Sequence, residues 1–211
     1  AVFGMPITPQ QPQVVEGQTI QVQWFERTRL ELHPNNPPPF DVLLGRLGDE
    51  ALRQAGRDWQ TLPPGAPTDG CRFFAATRHS LCEPFLGYWE RNGLEFDGQP
   101  GTSYAESLAL FGLPLTEPTM ETNSSGATVL TQWFERARFE WHPDQPDDFK
   151  VLLGLLGNEY SPGAPPAAVV ASSYPESLTT IGDTLFFSAE DGQHGDELWK
   201  SDGTPEGTVL V

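Results

Sequence analysis

Residues 23–48 read QWFERTRLELHPNNPPPFDVLLGRLG, and residues 132–157 read QWFERARFEWHPDQPDDFKVLLGLLG. The two stretches are identical at 17 of 26 positions, at a constant offset of 109 residues. Upstream, FGMPIT at 3–8 corresponds to FGLPLT at 111–116 at an offset of 108, so the second copy has gained one residue and we expect a loop there. Residues repeated at a fixed period serve packing first, which indicates an architectural protein rather than an enzyme.

The segments around the two copies predict five parts. These are an incomplete first repeat unit at 1–50, a linker at 51–70, a complete second unit at 71–160, a linker rich in Pro, Ala and Ser at 161–176, and a β segment at 177–211. The second unit opens with a stretch that has no counterpart before the first copy. We therefore expect the chain to be a piece of a longer polypeptide, or a subunit whose ends are completed by neighbours.

Local signals predict two helices in the second unit. Apolar residues at helical spacing indicate a helix within 83–94, and a capping box between Ser103 and Glu106 opens another at 103–111. The apolar stretch at 149–156 is short, and its spacing leaves a strand and one to two helical turns both open.

Alternation over 128–141 predicts a strand or hairpin whose aromatic face, with Trp133 and Trp141, is buried. The opposite face would form an outer charged ladder of Arg136, Arg138 and Glu140. Together these patterns predict an α+β fold. It would contain short helices with antiparallel β-hairpins in two tandem repeat units, plus a β-hairpin C-terminal segment.

Composition excludes several classes of function. The 211 residues are 37% hydrophobic and include 13 Phe and 6 Trp, which is enough for a packed core. A formal net charge of −17 repels phosphate backbones and anionic headgroups, so nucleic acid is not expected as a partner. The apolar stretches fall far short of the roughly 18 residues that a membrane span requires.

The chain has two cysteines, Cys71 and Cys82, separated by ten residues. A local disulfide is the favoured interpretation, and a pair of buried free thiols is the alternative. The spacing does not suit a thiolate metal site. Together with the acidic, lysine-poor composition, the disulfide predicts an extracellular or cell-surface location.

Two stretches resemble known families. The motifs FLGYWERNGLE, LALFGLPLTEP, QWFERARFEWHP and VLLGLLG resemble the LGFP-like and related tandem repeat modules of secreted proteins of filamentous green non-sulfur bacteria, over residues 1–159. That resemblance implies an extracellular, non-catalytic module associated with the cell wall. The tail LFFSAEDGQHGDELWKSDGTPEGTVLV, within 177–211, closely resembles the ELWKSDGT repeat, several copies of which form propeller-like β structure. Because one copy cannot close a propeller, further copies or strands of another chain are expected beside it.

Three tryptophans and three aspartates are the candidate ligand-binding residues. Tryptophan rings stack on sugars, and the candidates are Trp89, Trp133 and Trp141, with core packing as the alternative role. Aspartate oxygens bind calcium, and the candidates are Asp191, Asp196 and Asp202, with Asp-Gly turn formation as the alternative. No other cofactor is expected.

Several polar residues have structural interpretations. His33 and His142 precede proline in both copies and are interpreted as hydrogen-bonded residues that end a strand, rather than metal ligands. Glu26 and Glu135 are interpreted as partners of a neighbouring arginine or backbone amide, rather than general acids. Asn123 begins a glycosylation sequon in the loop before the second hairpin.

The sequence thus predicts a non-catalytic extracellular structural module that forms or anchors a cell-surface assembly. Its partners would be copies of itself or other surface proteins, and a head-to-tail homopolymer, as a filament or layer, is the sharper version. Two alternatives stay open. One is a module that binds cell-wall polysaccharide or peptidoglycan, and the other is an accessory domain of a larger secreted hydrolase.

Overall fold

A computed structural model describes residues 2–162, 176–181, 184–190, 196–201 and 209–211. The chain divides into two units, one formed by Ala1–Glu121 with Thr128–Ala164 and the other by Thr122–Ala127 with Pro165–Val211. Short helices and antiparallel sheets occur together, so the predicted α+β class is confirmed.

The first repeat forms a four-stranded antiparallel meander followed by a short helix. In chain order these elements are β1 (Gln11–Val15), β2 (Gln18–Trp24), β3 (Arg29–Leu32), β4 (Val42–Leu44) and α1 (Leu47–Gln54). β1 and β2 are joined by a two-residue turn at Glu16 and Gly17, which have φ values of 48° and 80°. Positive φ at both positions gives a turn whose twist matches that of the strands it joins.

Residues 71–111, which we call the cystine module, have no counterpart in the first repeat except that Leu110 and Phe111 align with Val2 and Phe3. The module contains the paired strands β5 (Arg72–Phe74) and β6 (His79–Leu81), followed by α2 (Phe85–Arg91) and α3 (Tyr104–Phe111). The predicted disulfide between Cys71 and Cys82 joins the two ends of the hairpin. The predicted capping box at the start of α3 is confirmed, because the side chains of Ser103 and Glu106 each accept a hydrogen bond from the other residue's backbone N–H.

The second repeat has the same topology as the first. Its elements are β7 (Thr119–Thr122), β8 (Thr128–Trp133), β9 (Arg138–Trp141), β10 (Val151–Leu153) and α4 (Leu156–Tyr160). The apolar stretch at 149–156 therefore holds a strand and the first residue of a helix. The turn between β7 and β8 covers 123–127 and is longer than its two-residue counterpart, so the gained residue lies in a loop as predicted.

The first turn of the helix in each repeat binds to a hairpin turn of the other repeat. In the first turn of α1, the N–H groups of Gly48 and Asp49 donate to the carbonyl oxygen of Glu135, in the β8–β9 turn, at 3.1 and 3.2 Å. In return, Asn158 N at the start of α4 donates to the carbonyl oxygen of Glu26, in the β2–β3 turn, at 3.1 Å. Each repeat donates hydrogen bonds from its helix and accepts hydrogen bonds at its hairpin turn. The contact is therefore reciprocal, and it leaves no equivalent surface open for a third repeat. It differs from the serial stacking that is usual for tandem repeats.

Glycine is the second residue of both α1 and α4 for a steric reason. A Cβ atom at Gly48 would overlap the carbonyl oxygen of Phe134, and one at Gly157 would overlap the carbonyl oxygen of Phe25. Both glycines belong to the duplicated stretch. The close approach of two backbones is therefore encoded in each copy.

The predicted boundary after residue 50 is wrong. Ala51 and Leu52 of α1 are each 1% exposed and lie in one apolar cluster with Leu156 of α4, so the start of the predicted 51–70 linker belongs to the fold. Apart from Thr122–Ala127, both repeats and the cystine module lie in the same unit. The long run of identity between the copies ends at Gly48, although Glu50 and Glu159 are also identical, and the helix that continues beyond Gly48 was missed for that reason.

The second unit contains the C-terminal sheet. Its strands are β11 (Glu176–Ile181), β12 (Thr184–Glu190), β13 (Asp196–Ser201) and β14 (Val209–Leu210), paired antiparallel in chain order. The predicted β-hairpin segment is thus confirmed, whereas 163–175 of the predicted linker lie outside the described residues. Across the described parts of both units, no helix combines the length and the apolar character that crossing a membrane requires.

Candidate functional site

The repeated charged residues of the second repeat form a buried ion cluster. Arg138 on β9 has 7% of its side chain exposed, and its Nε donates to Glu140 Oε1 at 2.8 Å. Its Nη1 and Nη2 atoms donate to the two oxygens of Glu159, both at 2.8 Å. The guanidinium also lies 5.2 Å from the centroid of the Trp133 ring. The charge is therefore held by two carboxylates and an aromatic face.

The first repeat contains the same cluster. Arg29 pairs with Glu31 and with Glu50, which are the equivalents of Glu140 and Glu159. The two clusters differ in their coverage, because the side chain of Glu50 is 43% exposed and that of Glu159 is 13% exposed. The cluster of the second repeat is thus the better shielded from water.

The predicted outer ladder of Arg136, Arg138 and Glu140 is wrong. Arg138 and Glu140 are 6% and 4% exposed, and Phe139 between them is 0% exposed, so β9 is covered on both faces. Arg136 lies in the turn between β8 and β9, where the predicted alternation breaks. Charges can be buried at such a strand only when they are paired, and the clusters provide the pairs.

The ion pairs keep the buried arginines charged. Burial lowers the pKa of Arg138, but hydrogen bonds and attraction from Glu159 and Glu140 outweigh it and raise the pKa above its ordinary value. For Arg29 the same balance, with Glu50 and Glu31, also raises the pKa. Both guanidinium groups act as permanent charges of the interior and hold helix to sheet.

The repeated glutamates have the structural role that was predicted. Glu26 Oε2 accepts a hydrogen bond from Met5 N at 3.0 Å, and Glu135 Oε2 accepts one from Leu113 N at 3.0 Å. Glu135 Oε1 also accepts one from Arg46 Nη2 at 3.0 Å. These carboxylates tie the duplicated FG[ML]P segments to the hairpin turns.

The repeated histidines are hydrogen-bonded, as predicted. His33 Nε2 lies 3.1 Å from Glu31 Oε2, and His142 Nε2 lies 3.4 Å from Glu140 Oε2. Each histidine follows the strand that carries its glutamate. The two rings therefore extend the ion clusters towards the surface.

For two of the three candidate tryptophans, the predicted stacking on sugars is wrong. Trp89 is 1% exposed, its Nε1 donates to Gly112 O at 3.3 Å, and its ring packs edge-on against Phe74. Trp133 is 5% exposed, and its Nε1 donates to Glu121 Oε2 at 2.9 Å. A covered ring offers no face to a sugar, so both residues serve core packing.

Trp141 lies instead at an open surface groove. The groove encloses ≈ 380 Å³, a volume within the range of ligand pockets, and lies between α2 and the segment from β9 to β10. Its two aromatic residues, Trp141 and Tyr88, are both half-buried. The polar residues that line it are Glu83, Arg91, Asn92, Asp147, Asp148 and Lys150.

The chemistry of the groove suits a polyhydroxylated ligand. Burial raises the pKa of Tyr88 despite the opposing charge of Arg27, so its hydroxyl group keeps its proton at neutral pH. Lys150 Nζ donates to Asp147 Oδ1 at 2.6 Å, and that bond lowers the pKa of Asp147. Aromatic surface beside carboxylates, a lysine and an amide offers both stacking and hydrogen bonds.

The two copies diverge where the groove lies. Trp141 corresponds to Leu32, and Lys150 corresponds to Asp41. Sequence reasoning selected Trp141 but missed the polar lining. The signal that could have found it is this divergence, because the polar groove positions 147, 148 and 150 and the aromatic position 141 all differ from their equivalents in the first copy.

The remaining candidates are partly outside the structure. Asp196 is the first residue of β13, and Asp191 and Asp202 lie outside the described residues, so the calcium site stays a prediction. Asn123 lies in the turn between β7 and β8, directly before the hairpin of β8 and β9, as predicted. Its Oδ1 accepts hydrogen bonds from the N–H groups of Ser125 and Ala127 at 3.1 and 3.0 Å, which stabilises the turn.

Two exposed carboxylates and one buried carboxylate lie close together. Glu95, Asp97 and Glu106 bring one oxygen each to within 4.8 Å of one another. Glu106 belongs to the capping box, and backbone hydrogen bonds led by that from Ser103 lower its pKa. Local structure therefore explains the grouping without a ligand.

No family model matches the chain. Neither the curated proteins nor the solved structures contain a match to it. The two resemblances drawn from the sequence motifs therefore stay predictions.

Proposed function

We propose that the chain is a non-catalytic structural module of an extracellular or cell-surface assembly. The main support is the position of the repeated charged residues, since Arg29 with Glu31 and Arg138 with Glu140 are paired in the interior. Groups that perform chemistry must be accessible to a substrate, whereas these are covered. The disulfide between Cys71 and Cys82 favours an oxidising compartment.

Any larger assembly would use surfaces other than the contact between the repeats. That contact is reciprocal, and reciprocal contacts close instead of propagating. A filament or layer would need heterologous contacts on the outer surface. Because the net charge is −17, copies repel one another at low ionic strength, and salt should promote their association.

The proposal can be tested on the natural protein. Antibodies raised against the chain should label intact cells in immunogold images. Material released without reducing agent should elute as multimers in size-exclusion chromatography with light scattering, and the multimers should grow with salt. Labelling that requires permeabilised cells, or a monomer at every salt and protein concentration, would contradict the proposal.

A second candidate function is the binding of a cell-wall polysaccharide, and the groove at Trp141 favours it. The half-buried Trp141 ring offers an apolar face to a sugar, and Asp148 and Arg91 offer hydrogen-bond partners to its hydroxyl groups. Such binding would anchor the module to the wall. It is therefore compatible with a structural role.

Trp141→Ala should weaken binding of soluble peptidoglycan glycan strands at least about tenfold, a change of about 1.4 kcal/mol, in isothermal titration calorimetry. The physical reason is the loss of the stacking surface. Phe149→Ala is the matched control, because Phe149 is 55% exposed in the same region and does not line the groove. Equal weakening in both variants, or no binding by the unmodified protein, would exclude the groove as a glycan site.

A further inference from the structure

The first repeat exposes an apolar face whose equivalent in the second repeat is buried. This open face consists of Phe3, Pro6, Phe25, Leu30 and Val42, all of them half-buried or exposed. Their equivalents, all buried, are Phe111, Pro114, Phe134, Phe139 and Val151. The contrast is largest on β4 and β10, where Val42 is 47% exposed and Val151 is 8% exposed.

The cystine module covers the equivalent face in the second repeat. The ring centroids of Phe85 and Tyr88 on α2 lie 5.9 and 5.3 Å from that of Phe139, and the centroid of Tyr88 lies 5.9 Å from that of Phe111. Trp89 Nε1 donates to the carbonyl oxygen of Gly112, directly after α3. The cover thus combines aromatic packing with a hydrogen bond.

The hydrogen bonds of a repeated glutamine show the same asymmetry. Gln132 Nε2 donates to Thr116 O at 2.8 Å and to Ser80 O, in the cystine module, at 2.9 Å. Gln23 Nε2 donates to Thr8 O at 3.2 Å, and residues 2–162 provide it with no second acceptor. The first repeat therefore keeps the contacts internal to a repeat and lacks those that the module supplies.

The alignment of the copies shows where a covering module would join the first repeat. Val2 and Phe3 correspond to Leu110 and Phe111, the last two residues of α3. Phe3 and Leu30 already contact the apolar core along part of their surface. The uncovered side of Phe3 and Leu30 is the side on which their equivalents in the second repeat contact the cystine module.

Building on the proposed structural role, we propose that the open face is the docking site for a second module of the cystine type. Such a module is a disulfide-closed hairpin followed by two short aromatic helices, the second of which ends at Val2 and Phe3. Docked in this way, the module's equivalent of Trp89 places its indole N–H at the carbonyl oxygen of Gly4. Its equivalent of Ser80 places a backbone carbonyl at Gln23 Nε2. The docked module makes the first repeat a complete unit like the second.

The test joins a second copy of residues 65–109 directly to Val2 of the full chain and measures side-chain exposure by hydroxyl-radical footprinting. Oxidation of Val42 should fall roughly sixfold, which is the ratio of the exposed fractions of Val42 and Val151, 47% and 8%. Oxidation of Phe25 should fall as well. Val151, which is covered already, should be unchanged and reports that the second repeat is intact.

The matched control carries Phe85→Asp and Trp89→Asp in the added copy alone, and Val42 and Phe25 should then oxidise as in the unmodified chain. Unchanged oxidation in the fusion, while the added copy forms its disulfide, would overturn the proposal. Equal protection by the control would also overturn it. So would a dimer of the unmodified chain that protects Val42 and is dispersed by Val42→Asp, because the occupant would then be a second copy.

Failure of the docking proposal and failure of the structural role are distinguishable. Footprinting of the fusion reports docking wherever the protein resides in the cell. Immunogold labelling of intact cells reports the location whether or not the module docks. A protected Val42 with only intracellular label would support docking and reject the surface role, and the reverse pair of results would do the opposite.

Discussion

Arg138→Met should lower the free energy of unfolding by about 4 kcal/mol, measured by urea denaturation followed by tryptophan fluorescence. Methionine retains most of the apolar stem but removes the guanidinium, so the buried carboxylate of Glu140 loses the positive charge that balances it. The side chain of Glu140 is 5% exposed, so water cannot replace the lost hydrogen bonds. Glu159 loses both of its bonds to the same group.

Two variants calibrate the effect of Arg138→Met. Lys150→Met removes one positive charge in the same repeat, but its partner Asp147 has a side chain that is 93% exposed, so a loss below about 1 kcal/mol is expected. Arg29→Met should fall between the two, because the carboxylate of Glu50 is accessible to water. A loss of less than about 1 kcal/mol for Arg138→Met would mean that its cluster is solvated, contrary to its burial.

Gly157→Ala should cost about 3 kcal/mol or more, or prevent folding, although alanine is the better helix former. The added methyl group would overlap the carbonyl oxygen of Phe25, a backbone atom that cannot turn aside as a side chain can. Relief would require the start of α4 to move away from the β2–β3 turn and break the bond from Asn158 N to Glu26 O. Thermal unfolding by circular dichroism measures the loss, and Gly48→Ala should reproduce it from the other side.

The control for these two glycine substitutions is Gly87→Ala on α2. A Cβ atom there would come within 3.0 Å of Glu83 Oε1 and 3.2 Å of Arg91 Nη1, the ends of flexible side chains. Both side chains can move aside, so the higher helix propensity of alanine determines the result. The free energy of unfolding should rise by up to about 1 kcal/mol. A neutral Gly157→Ala would show that the two repeats do not approach as described.

The parts of the fold that were predictable depend on local signals. The capping box of Ser103 and Glu106 located α3, and the duplication showed that one topology occurs twice. The burial of Arg138 was not predictable from alternation, because alternation assigns one face to solvent when β9 is covered on both. Its partner Glu159 lies 21 residues further along the chain, on an element that sequence spacing does not connect to the strand.

Of the residues that line the groove, only Trp141 was predicted from the sequence. Trp133 and Trp141 look alike in sequence, but the Trp133 ring lies beside Arg138 on the neighbouring strand and beside Arg57, which comes from a distant part of the chain. Burial of a tryptophan depends on what folds over it, and the alternating pattern contains no such information. Comparing the copies does separate the two, since Trp133 repeats Trp24 whereas Trp141 replaces Leu32.

The reciprocal contact between the repeats should not depend on protein concentration. A polypeptide with a single repeat and this contact would complete its hydrogen bonds only by pairing with another copy, and that pairing would fail at low protein concentration. In the duplicated chain, the start of α1 and the β8–β9 turn that receives it are covalently joined. Their effective concentration is set by the connecting chain, so the pairing becomes a unimolecular step. This part of the fold should therefore persist at any dilution of the protein.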